Sequence, residues 1–155
     1  LGAQAVGEQG VERRIDVIAT AMMQDASVFD LEDLELCYAP QFGAAKDPVN
    51  LAGMVASNYL RGDLPLANWS DLADTQAFLL DVRSEREFAN GHIPHSVNIP
   101  LETLRERYGE LPKNCEIWII CGVGQRAYYA HRLLSTQNLS VKVLSGGMQT
   151  YQVWQ

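Results

Sequence analysis

The stretch Cys115-Glu-Ile-Trp-Ile-Ile-Cys121-Gly-Val-Gly-Gln-Arg126-Ala decides the fold, because in it an apolar strand ends on a cysteine and turns into a helix through glycines. The first N–H groups of such a helix have no partner within it, and together with the helix dipole they favour an anion at the Cys121 sulfur. Gly122 and Gly124 permit backbone conformations that other residues avoid. The stretch therefore predicts a reactive thiolate at the carboxyl end of a strand, where open α/β sheets bind ligands.

The length of this loop restricts the reactions that Cys121 can carry out. Cys121 and Arg126 are five positions apart, one fewer than in the Cys-x5-Arg loop of cysteine phosphatases. The ring of amides is therefore expected to be too tight for a tetrahedral phosphate and to suit one sulfur atom carried on Cys121. A cysteine phosphatase or arsenate reductase, a non-catalytic interaction domain and a merely buried cysteine stay open as less favoured alternatives.

Four motifs occur in one order along residues 66–155. They are Asp81-Val-Arg83, Glu87-Phe-x-x-Gly91-His92-Ile-Pro94-x-Ser96-x-Asn98-Ile-Pro100, Cys121-x-x-Gly124-x-Arg126 and Leu144-x-Gly146-Gly147-Met148. In this order they resemble a single rhodanese domain, a sulfurtransferase module. The resemblance implies that Cys121 and Arg126 are catalytic, Cys121 accepting sulfane sulfur as a persulfide. It also implies that the sulfur is bound by the loop amides, which belong to Gly122, Val123, Gly124, Gln125 and Arg126.

The donor and the scaffold follow from the same residues. Persulfide and polysulfide are the expected donors, with thiosulfate as the alternative, because a dianion favours more than one cation beside the loop and Arg126 is the only one there. We expect Asp81 to be part of the scaffold, where it caps a turn or pairs with Arg83 or Arg86, and His92 to be structural rather than a base. His131 should lie remote from Cys121.

Strand and helix patterns alternate after residue 66. Strands are predicted over 77–81, 97–98, 116–120 and 141–144, and helices over 85–89, 101–108 and 125–135. This alternation predicts an α/β domain over 66–155, with a rhodanese-like parallel sheet covered by helices on both faces.

Residues 1–65 follow a different pattern. An amphipathic helix is predicted over 12–23, a strand over 30–36, and a helix over 48–60 that Asp47 caps. Residues 1–7 look like the tail of another strand. One strand and two helices bury little surface alone, so this partial α+β segment is expected to pack on a second chain or on preceding sequence.

Two runs in this segment carry a second resemblance, Arg14-Ile-Asp-Val-Ile-Ala19 and Tyr38-Ala-Pro-x-Phe42-Gly-x-Ala-Lys-Asp47-Pro-Val-Asn50. They resemble the end of the dimerisation domain of flavin-dependent pyridine nucleotide-disulfide oxidoreductases, in particular coenzyme A-disulfide and persulfide reductases with a C-terminal rhodanese domain. The resemblance implies a homodimer, FAD and NAD(P)H domains before Leu1, coenzyme A thiols as substrates, and Tyr38 near the partner's active site. Packing at the interface is the alternative role for Tyr38.

Composition restricts the remaining choices. The net charge of −7 argues against nucleic acid or an anionic membrane as partner. The sequence contains no Gly-x-Gly-x-x-Gly fingerprint, so neither FAD nor NAD(P)H is expected to bind this chain, and no metal site is predicted. Three cysteines and no apolar run of membrane length predict a cytoplasmic enzyme in which Cys37 and Cys115 simply pack.

Overall fold

The computed structural model describes residues 2–154. Backbone contacts separate the chain into two units, Leu1–Asp63 and Leu64–Gln155. The regular structure described in the first unit consists of three helices, Val11–Met23 (α1), Val28–Asp33 (α2) and Pro48–Leu60 (α3).

Helix α3 begins where its capping residues predict. The Asp47 carboxylate accepts the N–H of Val49 at 3.0 Å, and Pro48, which has no N–H to leave unpaired, occupies the first helical position. One face of α3 packs closely on α2, since a Cβ atom at Gly53 would lie 2.7 Å from the carbonyl carbon of Leu31. The buried Asn50 side chain donates to the carbonyl oxygen of Leu34 at 2.9 Å and so ties the end of α2 to α3.

The strand expected over 30–36 is wrong, because residues 30–33 belong to helix α2 and residues 34–36 form no regular structure. Ser27 and Asp30 make a capping box: the Asp30 carboxylate accepts the N–H of Ser27 at 2.7 Å, and the Ser27 hydroxyl accepts the N–H of Asp30 at 3.4 Å. These local hydrogen bonds begin a helix despite the alternating apolar pattern. Residues 2–7 are not a strand either, so the described part of the expected α+β segment is helical.

The second unit contains a five-stranded sheet, and all of its strand pairs are parallel. Its strands are Leu66–Ala67 (β1), Phe78–Asp81 (β2), Val97–Asn98 (β3), Ile117–Ile120 (β4) and Val141–Leu144 (β5). They lie in the order β1-β5-β4-β2-β3, which places the central strand β4 between β5 and β2. The predicted parallel α/β sheet is confirmed, and β1 is a strand that the sequence pattern did not indicate.

Helices cover both faces of this sheet. They are Glu85–Ala89 (α4), Leu101–Arg107 (α5), Gln125–Ser135 (α6) and Gly147–Trp154 (α7), with short 3-10 helices at Trp69–Asp71 and Tyr108–Glu110. Successive strand side chains point to opposite faces. One face packs Leu80, Ile117 and Ile119 against α5 and α6, and the other packs Leu79, Trp118 and Ile120 against Trp69 and Met148 of α7. Because both faces are buried, β4 is apolar throughout.

Candidate functional site

Cys121 lies directly after β4 and in front of helix α6. Its side chain keeps 1 % of its surface exposed, and its Sγ accepts the N–H of Gly124 at 3.1 Å. Gly124 is the N-cap of α6 and has a φ of 126°, a conformation that side chains disfavour. The turn therefore directs the sulfur to the amino end of α6, where backbone N–H groups and the helix dipole favour an anion.

The outer side of the loop is held by helix α7. The N–H of Met148 donates to the carbonyl oxygen of Cys121 at 2.8 Å, and the N–H of Gln149 donates to that of Gly122 at 3.1 Å. The C=O and N–H of a trans peptide point in opposite directions. Holding these two carbonyl groups against α7 therefore turns the N–H groups of Gly122 and Val123 away from α7.

Gly147 allows this approach of α7 to the loop. Its φ is 58°, and a Cβ atom there would lie 2.7 Å from both the carbonyl carbon and the carbonyl oxygen of Gly122. A side chain would push the two segments apart. Sequence reasoning noted the Gly146-Gly147-Met148 motif within the family resemblance but assigned it no role in supporting the loop.

Arg126 forms a bidentate ion pair with Glu87 of α4. Its Nη1 and Nη2 atoms donate to the two carboxylate oxygens of Glu87, each at 2.7 Å. The hydrogen bonds from Arg126 lower the pKa of Glu87 to about 2, and those to Glu87 raise the pKa of Arg126. Sequence reasoning missed this pair, although Glu87 belongs to the second motif.

The guanidinium of Arg126 also lies against the loop backbone. A Cβ atom at Gly122 would be 3.2 Å from its Nη2 atom. Arg126 therefore supports the loop from the side while its charge is balanced by Glu87.

The rim of the loop is uncharged. Val123 keeps 57 % of its surface exposed, and the exposed Gln125 side chain donates to the Tyr129 hydroxyl at 3.4 Å. Val123 also borders an open depression of about 410 Å³, whose other lining residues are Gly146, Gln149, Thr150 and Val153. The two exposed side chains of the loop, Val123 and Gln125, thus carry no formal charge.

The other motif residues form the scaffold. Asp81 is fully buried and pairs with Arg83 at 2.7 Å, which confirms the predicted pairing. The Asn98 side chain donates to the carbonyl oxygens of Asp81 and Arg83 at 2.9 and 2.8 Å and so joins β3 to the end of β2. The His92 ring stacks on Phe88 with ring centroids 3.9 Å apart, as a structural residue would.

Tyr38 and Cys37 belong to the first unit. Tyr38 keeps 53 % of its surface exposed. Cys37 is exposed as well, so the expectation that it packs is wrong, because it lies in the irregular segment after α2. Both residues line a cavity of about 530 Å³ within this unit, together with Arg13 and Phe42.

Neither a metal site nor a membrane-spanning helix is present in the part of the chain that the structure describes. Residues 2–154 hold no group of three or more His, Cys, Asp or Glu side chains placed to bind a metal ion. Of the helices described, none has the length and apolar character needed to cross a membrane.

Sulfurtransferases use a fold and a site of this class. The fold is a parallel α/β domain, and in the site a strand-terminal cysteine faces the amino end of a helix. The family model described as the Rhodanese-like domain matches residues 66–153, more than half of the chain. The chain therefore belongs to the rhodanese-like family, and its second unit is a rhodanese-type sulfurtransferase domain.

Several reductases are similar to this chain. Coenzyme A disulfide reductase of Staphylococcus epidermidis is 50 % identical over 54 residues, which are 35 % of this chain and 12 % of that protein. The structure of reduced Bacillus anthracis CoADR-RHD is 42 % identical, with a TM-score of 0.88 over 92 % of this chain. The NAD-dependent persulfide reductase from A. fulgidus is 37 % identical, with a TM-score of 0.80 over the same share. The chain covers 26 % of each reductase structure.

Proposed function

We propose that this chain is the sulfur-carrying part of an FAD- and NAD(P)H-dependent reductase of coenzyme A disulfide, persulfide or polysulfide. Within it, Cys121 accepts sulfane sulfur as a persulfide. The observation that carries the proposal is the Cys121 sulfur, which accepts the Gly124 N–H at the amino end of α6. The similarity to coenzyme A disulfide reductase and to persulfide reductase supports the substrate class.

Sulfur transfer at Cys121 needs no change in overall oxidation state. The thiolate attacks the outer sulfur of a persulfide, a new S–S bond forms, and the donor's S–S bond breaks. The electron pair of the broken bond leaves on the donor thiolate. The terminal sulfur of the Cys121 persulfide then bears the negative charge, which loop amides stabilise, and it passes to an acceptor thiolate by the same exchange.

FAD and NAD(P)H would supply the reducing equivalents that release the sulfur as sulfide in such an enzyme. We infer that both cofactors bind outside this chain, whose sequence has no Gly-x-Gly-x-x-Gly run. Because the exchange at Cys121 involves no net oxidation or reduction, sulfur acceptance needs neither cofactor. We place the enzyme in a reducing cytoplasm, where the three free cysteines stay as thiols.

We also propose that the first unit contributes to a homodimer in which Tyr38 lies near the partner's active site. Half-exposed Tyr38, the exposed apolar residues of α3 and the family resemblance support this role. The tyrosine hydroxyl could then donate a hydrogen bond at that site.

Peptide mass spectrometry after incubation with inorganic polysulfide tests the role of Cys121. We expect the mass of additional sulfur on the Cys121 peptide, and none on the Cys37 or Cys115 peptides. Cys121→Ser should abolish the gain, whereas the matched control Cys115→Ser should retain it. Sulfur spread evenly over the three cysteines would contradict the proposal.

A further inference from the structure

We propose that Glu87 is a positioning residue that sets the donor class of the Cys121 loop. By holding Arg126, it favours donors whose reacting end carries at most one negative charge over doubly charged thiosulfate. This inference rests on the proposed function, the acceptance of sulfur by Cys121. It assigns a task to a residue outside the loop.

The hydrogen bonds of Glu87 hold its carboxylate beside Arg126. Both of its carboxylate oxygens accept from Arg126 at 2.7 Å, and one of them also accepts the Ser84 N–H and hydroxyl at 3.1 and 2.9 Å. These contacts orient the carboxylate and keep it ionised at neutral pH. The only cation of residues 121–126 is therefore neutralised before a donor arrives.

The surroundings of the ion pair between Glu87 and Arg126 provide no second positive charge within the loop. The raised pKa of the Arg126 guanidinium comes first from its hydrogen bonds to Glu87, and the charge of Glu102 adds a smaller contribution. The rim residues Val123 and Gln125 carry no charge. The positive charge of Arg126 is therefore already offset by its ion pair with Glu87 when a donor approaches.

Thiosulfate and a persulfide bring different charges to Cys121. Attack on thiosulfate brings a dianion to the Cys121 thiolate, forms the Cys121 persulfide and releases sulfite with the electron pair of the broken S–S bond. Attack on a singly charged persulfide brings one negative charge and releases a thiolate with that pair. Because like charges in a partly desolvated loop repel, the dianion is the disfavoured donor.

The experiment measures the rate of sulfur loading on Cys121 in single turnovers, with thiosulfate and with cysteine persulfide, by mass spectrometry. We expect wild type to load faster from cysteine persulfide. Glu87→Gln removes one negative charge while a Gln side-chain oxygen can still accept from Ser84. The ratio of the thiosulfate rate to the persulfide rate should rise by roughly three- to tenfold in this variant, the scale of one charge-assisted contact.

Two further variants complete the design. Glu110→Gln breaks another bidentate pair, with Arg107 at 2.8 Å, that includes no residue of the loop, and it should leave the ratio unchanged. Val123→Lys adds one positive charge at an exposed rim position without touching Glu87, and it should raise the ratio in the same direction. If Glu87→Gln fails to fold by circular dichroism, a ratio that Val123→Lys leaves unchanged still overturns the inference, because it shows that charge beside the loop does not set the donor class.

The outcomes separate this inference from the proposed function. Loading of Cys121 by cysteine persulfide, with a ratio that folded Glu87→Gln does not change, overturns the role of Glu87 and leaves the function intact, whatever Val123→Lys does. Wild-type protein that loads faster from thiosulfate than from cysteine persulfide also overturns the role of Glu87 and leaves the proposed function intact. Failure of every sulfur donor, inorganic polysulfide included, to load Cys121 overturns the proposed function itself.

Discussion

Glu87 serves two parts of the domain with one carboxylate. It accepts the N–H of Ser84 and thereby completes the capping box that begins α4, and it accepts both terminal nitrogens of Arg126 beside the loop. Helix α4 and the loop are therefore coupled through one side chain. The hydrogen bond between Cys121 and Gly124, by contrast, is local and spans only three positions of the chain.

The ion pair between Glu87 and Arg126 makes the free energy of unfolding depend on pH. The pKa of Glu87 is lowered from its ordinary 4.5 to about 2, so the contribution of its carboxylate is complete above pH 4.5 and is lost as the pH falls through about 2. Glu87→Gln should lower the free energy of unfolding at pH 7 by about 1 kcal/mol or less, because the side chain is partly exposed and water screens the pair. Urea unfolding of both proteins from neutral pH to about pH 3 measures this difference.

The difference between the two proteins should shrink as the pH falls below 4.5. Glu110→Gln, which opens the exposed pair with Arg107, is the control and should show a smaller effect at pH 7. A difference for Glu87→Gln that stays constant from pH 7 to about pH 3 would refute the proposed contribution of its charge.

Helix α7 shapes the loop at the scale of an element. Its first residues donate to the carbonyl groups of Cys121 and Gly122, and Gly147 lets the two backbones meet. This contact depends on a backbone conformation that glycine adopts without strain. The orientation of the sulfur site is thus decided partly by a helix that comes after it in the chain.

Gly147→Ala should therefore damage the site. The added methyl group would meet the Gly122 carbonyl and impose a strained φ, so we expect a loss of roughly 1–3 kcal/mol in stability and a marked fall in sulfur loading on Cys121. Urea unfolding and peptide mass spectrometry measure the two effects. Gly109→Ala is the matched control, because a Cβ atom there meets nothing within 4 Å. Equal stability and loading in Gly147→Ala and wild type would show that α7 does not shape the loop.

At the scale of the whole molecule, helix α3 has one buried face and one exposed apolar face. One face is buried on α2 through Gly53 and Ser57. Leu51, Val55 and Tyr59 recur every four residues on the other, with 50, 54 and 55 % of their surfaces exposed. A repeated apolar stripe of this kind is typical of an association surface.

Sedimentation at micromolar concentration should show a homodimer formed through this stripe. Val55→Glu should shift the protein towards monomer, because it would bury an unpaired charge at an isologous interface. Val153→Glu makes the same change at an exposed position of the second unit and should leave the association unchanged. Wild-type protein that sediments as a monomer at every concentration tested would rule out the interface.

Local sequence determined the elements around Cys121. The apolar run of β4, the glycines after it and the periodicity of α6 each specify their own structure within a few residues, so the parallel sheet and the position of the cysteine followed from them. The prediction failed over residues 30–36, where the capping box of Ser27 and Asp30 outweighed the alternating pattern. Cys37 was misplaced because exposure depends on what the rest of the unit covers.

Only the tertiary structure decided which distant residues meet at the loop. Arg126 and Glu87 are 39 positions apart, and the choice of Glu87 over other acidic residues depends on the order of the strands, which sets β4 beside β2. Gly147 meets Gly122 because β5 lies on the other side of β4 and leads α7 back over the loop. Motifs identified each of these residues, but their pairing is a property of the packed sheet, because chain distance alone does not specify contacts between separate elements.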